Sequence, residues 1–164
     1  MAKLPILNYP DPRLSRPCAT VTEFGPALRQ LADDLLETMR AAPGVGITAG
    51  HVGIPLRVVV LELLPDKPLV YVNPVILSLS GETKRRVEGS VSMRGFTEDV
   101  ERPCAIRFRY QDLAGGSHEE DATDFHAICI QHEVDQLDGI FWLKRLSRLK
   151  RDRLIRKWQK QNGA

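Results

Sequence analysis

Apolar residues recur at helical spacing in three stretches of the chain, and in short alternating or consecutive runs between them. Over residues 26–40, Leu28, Leu31, Leu35, Leu36 and Met39 fall three or four apart, which gathers them on one side of a helix. Pro26 suits a first helical turn, and Pro43-Gly44 stops the helix beyond its end. Residues 57–61, 69–77, 83–88 and 104–110 are rich in β-branched and aromatic side chains and are punctuated by Pro, Gly and Asn, so they predict strands. Asp112-Leu113-Ala114-Gly115-Gly116 predicts a turn into a further, polar strand near 118–122. Helical spacing returns over 124–137, where Ile128, Cys129, His132 and Gln136 share a face and Asp138-Gly139 closes the helix. A last helix over about 147–161 is predicted to turn Leu149, Leu154, Ile155 and Trp158 inward. Helices bracketing a block of mostly sequential strands imply an α+β fold rather than a doubly wound sheet.

The remaining segments read as loops. Asn8-Tyr9-Pro10-Asp11-Pro12-Arg13-Leu14 is turn-forming and should lie over the surface. Gly44, Gly46, Gly50 and Gly53 crowd into ten residues, which marks backbone that turns tightly or closely approaches a ligand. A phosphate-cradling loop is disfavoured there, because no Lys-Ser/Thr pair follows and no clear strand precedes.

Length and charge refine this picture. A chain of 164 residues can bury one core without splitting, so 1–164 reads as a single domain. No apolar run approaches the roughly 18 residues that span a bilayer, and the N-terminus lacks a secretory build. Cys18, Cys104 and Cys129 are odd in number and widely spaced, which argues against a disulfide framework and a CxxC metal site. These features together point to the cytoplasm and away from a membrane. The net charge of +2 hides an asymmetry: residues 144–160 carry +8 and the remainder −6. The basic helix over 146–161 is therefore either a solvated face or a surface for a polyanion.

The sharpest chemical signal is Gln131-His132-Glu133-Val134-Asp135-Gln136. On a helix, residues four apart differ by about 40° of rotation, so positions 132 and 136 face the same way. In HExxH, two histidines at that spacing hold a metal while the Glu between them activates bound water. Here the second histidine is Gln136, whose neutral carboxamide is a weak ligand for a transition metal. Alone, the motif favours a plain polar helix face.

Its company changes that reading. Gly44-Val45-Gly46-Ile47-Thr48-Ala49-Gly50-His51, then Glu88-Gly89-Ser90-Val91-Ser92, then Gln131-His132-Glu133-Val134-Asp135-Gln136-Leu137-Asp138-Gly139 occur in this order. Together they resemble the GxGLAAxQ, EGCLS and QHExDHLxG motifs of the peptide deformylases. Pro10-Asp11-Pro12-Arg13-Leu14, Asn73-Pro74 and Gly81-Glu82 fit the same family, and the likeness spans essentially the whole chain.

The resemblance implies antiparallel strands around a central helix of the HExx type, with a C-terminal helix. It also implies removal of formyl groups from the N-terminal Met of new polypeptides by a divalent iron, zinc or nickel ion. The standard ligand positions correspond to Ser90, His132 and Gln136, two of them substituted, so weak or absent metal binding is expected. The likeness carries Glu133 across as general base, the Val91 N–H as oxyanion donor, and His51 in place of the oxyanion-binding Gln. It places Gly46 in a tight loop and Val45, Phe125, Ile128 and Cys129 along the methionine pocket, with Arg86 where the family often has a small aliphatic group.

Three functions follow as expectations. One is a deformylase-fold protein with little or no deformylase activity, retained for binding or regulation in N-terminal processing. Another is an active hydrolase of formyl or other N-acyl compounds, metal-dependent through a site rebuilt from His51, His132 and Glu133, joined by Glu88, or metal-free through a Ser90 nucleophile with His132 or His51 as base. The third is ribosomal RNA contact through the basic C-terminal helix, which is compatible with the first. The partners to expect are an N-terminal peptide, a small N-acyl compound and the ribosome.

Overall fold

The computed structural model describes residues 2–163, one fewer at each end than the predicted domain. A five-stranded antiparallel sheet separates two helices. Its strands are β1 (Gly46–Thr48), β2 (Val58–Leu61), β3 (Leu69–Leu79), β6 (Ala105–Gln111) and β7 (Ser117–Thr123), in the order β1-β2-β3-β6-β7. The strands β4 (Thr83–Glu88) and β5 (Glu98–Pro103) form a separate antiparallel ribbon. The helices are α1 (Pro26–Ala41), α2 (Asp124–Leu137) and α3 (Arg148–Asn162).

Strand β2 shows why an unbroken apolar run is needed. Val59 and Leu61 point into one core with Cys129, Ile130, Val134 and Leu137 of α2. Val58 and Val60 point into another with Leu28, Leu35 and Met39 of α1. Both faces of the strand are covered, so alternation with polar residues would bury unpaired groups. Each large side chain brought fully out of water here contributes about 1.5–3 kcal/mol. The sheet thereby fixes α2, and with it the His132-Glu133 pair, against a rigid layer.

A third core seats the C-terminal helix. Leu154 is buried with Phe141, Trp142, Met93 and Phe96, while Ile155 and Trp158 pack at its margin. The predicted inward turn of Leu149 does not occur, and it is 70% exposed in the first turn of α3. Only one side of this helix meets the body, and residue 149 lies off it.

Two strands depart from the sequence prediction. The stretch expected to be a tight glycine loop includes β1, with Gly46 paired to Leu61. Strand β5, Glu98-Asp99-Val100-Glu101-Arg102-Pro103, carries few apolar residues, and its register on β4 brings opposite charges together, as at Arg85 and Glu101. All three cysteines are free and buried. No helix among the described residues is long and apolar enough to cross a membrane.

Candidate functional site

Helix α2, strand β1 and the loop after β4 enclose a cavity of about 580 Å³, within the range of small-molecule sites. Val45, Gly46, His51, Ser90, Val91, Phe125, Ile128, Cys129, His132 and Glu133 line it, so ten of the predicted site residues come together. Gln136 and Arg86 do not line it. Gln136 is buried deeper on α2, and Arg86 lies outside the wall with its guanidinium 4.2 Å from the centre of the Phe125 ring.

His132 projects from α2 beneath β4. Its Nδ1 lies 2.9 Å from Glu88 Oε1, and Nε2 is 3.6 Å from Glu133 Oε1. Burial pushes the His132 pKa down, but the Glu88 hydrogen bond and the nearby carboxylates outweigh it and leave the ring more basic than usual. For Glu88 burial works upward, and the hydrogen bonds from His132 and Arg102 reverse it to a net lowering. Arg102 holds both Glu88 oxygens at 2.6 and 2.9 Å and reaches Asp135 at 2.9 Å. Asp135 in turn accepts two bonds from Arg145, both at 2.8 Å. This buried chain of charges from β4 through β5 to α2 is a feature that sequence reasoning missed. Asp135 sits one turn after His132, but Arg102 lies on a strand that apolar patterning does not mark.

Glu133 is 3% exposed, and its Oε2 has no hydrogen-bond partner. Burial raises its pKa to about 7. A Cβ on Gly46 would stand 3.1 Å from that oxygen and 2.9 Å from Leu61, so only glycine lets β1 pass so near the carboxylate.

His51 occupies a short 3-10 turn, Ala49–Val52, and is 1% exposed. The Thr48 amide donates to its Nδ1 at 2.9 Å, and the Thr48 hydroxyl lies 3.0 Å from the same nitrogen. An Nδ1 that accepts carries no proton, so the ring proton sits on Nε2, which has no partner. Burial, with the His132 charge adding to it, lowers the His51 pKa to about 3 and keeps the ring neutral. The unfolded chain takes up this proton near the ordinary value of about 6.5. Stability from a neutral His51 is therefore present above that pH and drains away as pH falls toward 3. His51→Gln should flatten the stability curve over this window, as read by urea unfolding at pH 7 and pH 4. An unchanged curve would show that another group governs the acid limb.

The donor set can be weighed against a divalent ion. The Ser90 hydroxyl accepts the Ser92 N–H at 3.0 Å, and Gln136 Nε2 donates to the Leu14 carbonyl at 2.7 Å. Neither is the thiolate or imidazole that such a centre uses. Glu88 is a poor candidate to complete a rebuilt set, because both of its oxygens already accept hydrogen bonds, Oε2 from Arg102 and Oε1 from Arg102 and His132. Among the described residues, no three His, Cys, Asp or Glu side chains form a metal-holding group. The residues present do not fit the ion that the family motifs imply. The Ser90 nucleophile fares no better, since no histidine hydrogen-bonds its hydroxyl among the described residues.

The polypeptide deformylase family model matches residues 3–152. A peptide deformylase-like protein of Agrobacterium fabrum is 63% identical over 163 residues, covering 99% of each chain. A peptide deformylase of Nitrobacter hamburgensis is 43% identical over 171 residues, covering 98% of this chain and 96% of its own. The crystal structure of peptide deformylase from Ehrlichia chaffeensis in complex with actinonin superposes with a TM-score of 0.91 at 35% identity, covering 98% of both chains. By sequence and by fold alike, this chain belongs to the polypeptide deformylase family.

Proposed function

We propose that this protein binds N-terminal peptides or small N-acyl compounds in the cavity beneath β4 and has little or no deformylase activity. The observation that carries the reading is the pairing of Gln136 with the Leu14 carbonyl, beside a serine at position 90. Deformylase chemistry relies on an ion that lowers the pKa of water from near 16 to about 7, and hydroxyl and carboxamide groups are poor ligands for it. What remains suits recognition. The His51 Nε2–H is a fixed donor for a ligand carbonyl, the Val91 amide lies along the same cavity, and Glu133 supplies a buried oxygen that can take an N–H. Phe125, Ile128 and Cys129 offer an apolar wall. The Cys129 thiol, pushed by burial to about 12, serves as bulk rather than as a nucleophile.

Elemental analysis of anaerobically purified protein, beside a formyl-Met-peptide hydrolysis assay, tests this reading. The expected result is well below one equivalent of iron, nickel or zinc and negligible turnover. A full equivalent with substantial turnover would overturn it and favour the metal-dependent hydrolase.

A second role rests on α3. Arg148 and Arg153 have side chains 89% and 65% exposed, and Asp152 is the helix's one acidic residue. Contact with ribosomal RNA through this face should weaken steeply with salt, because each neutralised phosphate releases condensed counterions. Charge reversal at Arg151, Arg153 and Lys157 should abolish sedimentation with ribosomes at low salt and leave the fold intact. Equal pelleting of both proteins, or of neither, would reduce α3 to a solvated face.

A further inference from the structure

A second, smaller cavity of about 260 Å³ lies beside the first, and Ala42, Val91 and Arg94 line both. Two hydrogen bonds between remote segments assemble it. The Leu4 N–H donates to Thr38 Oγ at 2.8 Å, which lays the N-terminal segment along the end of α1. The Tyr9 N–H donates to the Ser92 carbonyl at 2.7 Å, which ties the same segment to the loop after β4. Lys3 and Arg94 thereby come to line one cavity. Arg94 is exposed, so the boundary with the main cavity is a movable side chain there rather than a sealed wall.

The charges in this cavity are unbalanced. Lys3 and Arg94 are its cations, and none of the residues lining it is acidic. Neither cation has an ion-pair partner among the described residues. Asp34, one turn before Thr38, spends Oδ1 on the Ala2 N–H and the Gln30 amide and does not line the cavity. The plain alternative is that the two cations complement the negative end of α1. That end is already capped, since the Met39 carbonyl accepts the Ala42 and Gly44 amides, and neither cation bonds a carbonyl there among the described residues. A helix end carries about half a negative charge, against two full positive ones on the side chains, so an anion still gains on balance. The chain outside residues 144–160 carries −6, so this attraction is local and not a property of the whole body.

We propose that the second cavity receives the free C-terminal carboxylate of a short N-acyl peptide held in the main one, with Lys3 and Arg94 as its partners. This rests on the reading of the main cavity as an N-acyl ligand site. A guanidinium can take a carboxylate by two parallel bonds, and the lysine adds a point charge beside it. The ligand class that follows is a released peptide of a few residues. A chain still growing on the ribosome ends in an ester and offers no such group.

Calorimetric titration of the full chain at pH 7 with formyl-Met-Ala and formyl-Met-Ala-Ala, each as free acid and as C-terminal amide, tests the proposal. Acid and amide of one length share shape and differ in charge, so their affinity ratio isolates the carboxylate. At one length or both, the wild type should bind the acid about tenfold more tightly, in line with two exposed charge-assisted pairs. Lys3→Gln and Arg94→Gln should each lower that ratio to about threefold, and the double variant to near one. Both side chains are exposed, so the exchanges should not disturb folding. Arg29→Gln removes an exposed cation from the opposite end of α1 and should leave the ratio unchanged. Equal affinity for acid and amide at both lengths overturns the proposal while leaving the reading of the main cavity intact. A ratio that survives the double variant, or falls as far in Arg29→Gln, overturns it too. Binding of none of the four peptides defeats the reading of the main cavity, and the carboxylate site with it.

Discussion

Arg102→Ala is expected to lower the unfolding free energy by about 3–5 kcal/mol, the usual cost of removing one member of a buried ionic group. The Arg102 side chain is 4% exposed, and Glu88 beside it is 6% exposed. Without the guanidinium, Glu88 keeps only His132, and Asp135 keeps only the Arg145 fork. The deficit should shrink in acid, because a carboxylate that has lost its cation can take a proton and cease to be a buried charge. The sign follows from Glu88, whose pKa is lowered in the folded protein. Its contribution is present above the ordinary carboxylate range and is lost as pH falls through the folded value. Arg145→Ala should cost much less, since that side chain is 48% exposed and Asp135 retains Arg102. Urea unfolding at pH 7 and pH 4.5 measures both variants. An Arg102→Ala protein within 1 kcal/mol of wild type, an order-of-magnitude threshold for an exposed pair, would mean the network is peripheral.

The other large effect is a gain. Ser90→Cys combined with Gln136→His should bring bound zinc or nickel close to one equivalent, measured after dialysis, since His132 and Glu133 are already in place on α2. The exchange at 136 has a cost. The Gln136 amide serves the Leu14 carbonyl, and a histidine turned toward the cavity leaves that carbonyl without its donor, worth about 1 kcal/mol or somewhat more. Adding His51→Gln should then raise formyl-peptide turnover by about a hundredfold, the usual value of one oxyanion donor. The His51 ring is locked by Thr48 and cannot turn its N–H toward a new position, whereas a carboxamide can. A folded double variant that binds no metal would show that α2 does not deliver residue 136 to the cavity.

Much of the architecture was legible in the order of residues. The period of α1, the doubly apolar β2 and the Asp138-Gly139 stop after α2 follow from spacing and turn chemistry, which act over a few neighbours. The three motifs also identified the family, and the resemblance they carry pointed to ten of the residues that line the cavity, because a family's site residues stay with their motifs. Strand β1 was hidden because glycines signal a loop when read locally, although Gly46 is there to let a strand pass Glu133. Strand β5 was hidden because its stability comes from charges across a ribbon and from Arg102, partners 14 and 33 residues away in sequence.

The sequence by itself determined what kinds of donor stand at positions 51, 90, 132, 133 and 136, since side-chain chemistry does not depend on folding. Only the tertiary structure decided what each does with its polar atoms. It turned Gln136 to a carbonyl 122 residues away, closed both Glu88 oxygens, assigned the His51 proton to Nε2 and set Arg86 on an aromatic ring. A hydrogen bond or a cation–π contact is a matter of a few ångströms and an angle between segments remote in the chain. Those distances exist only once α1, the sheet and α2 have packed.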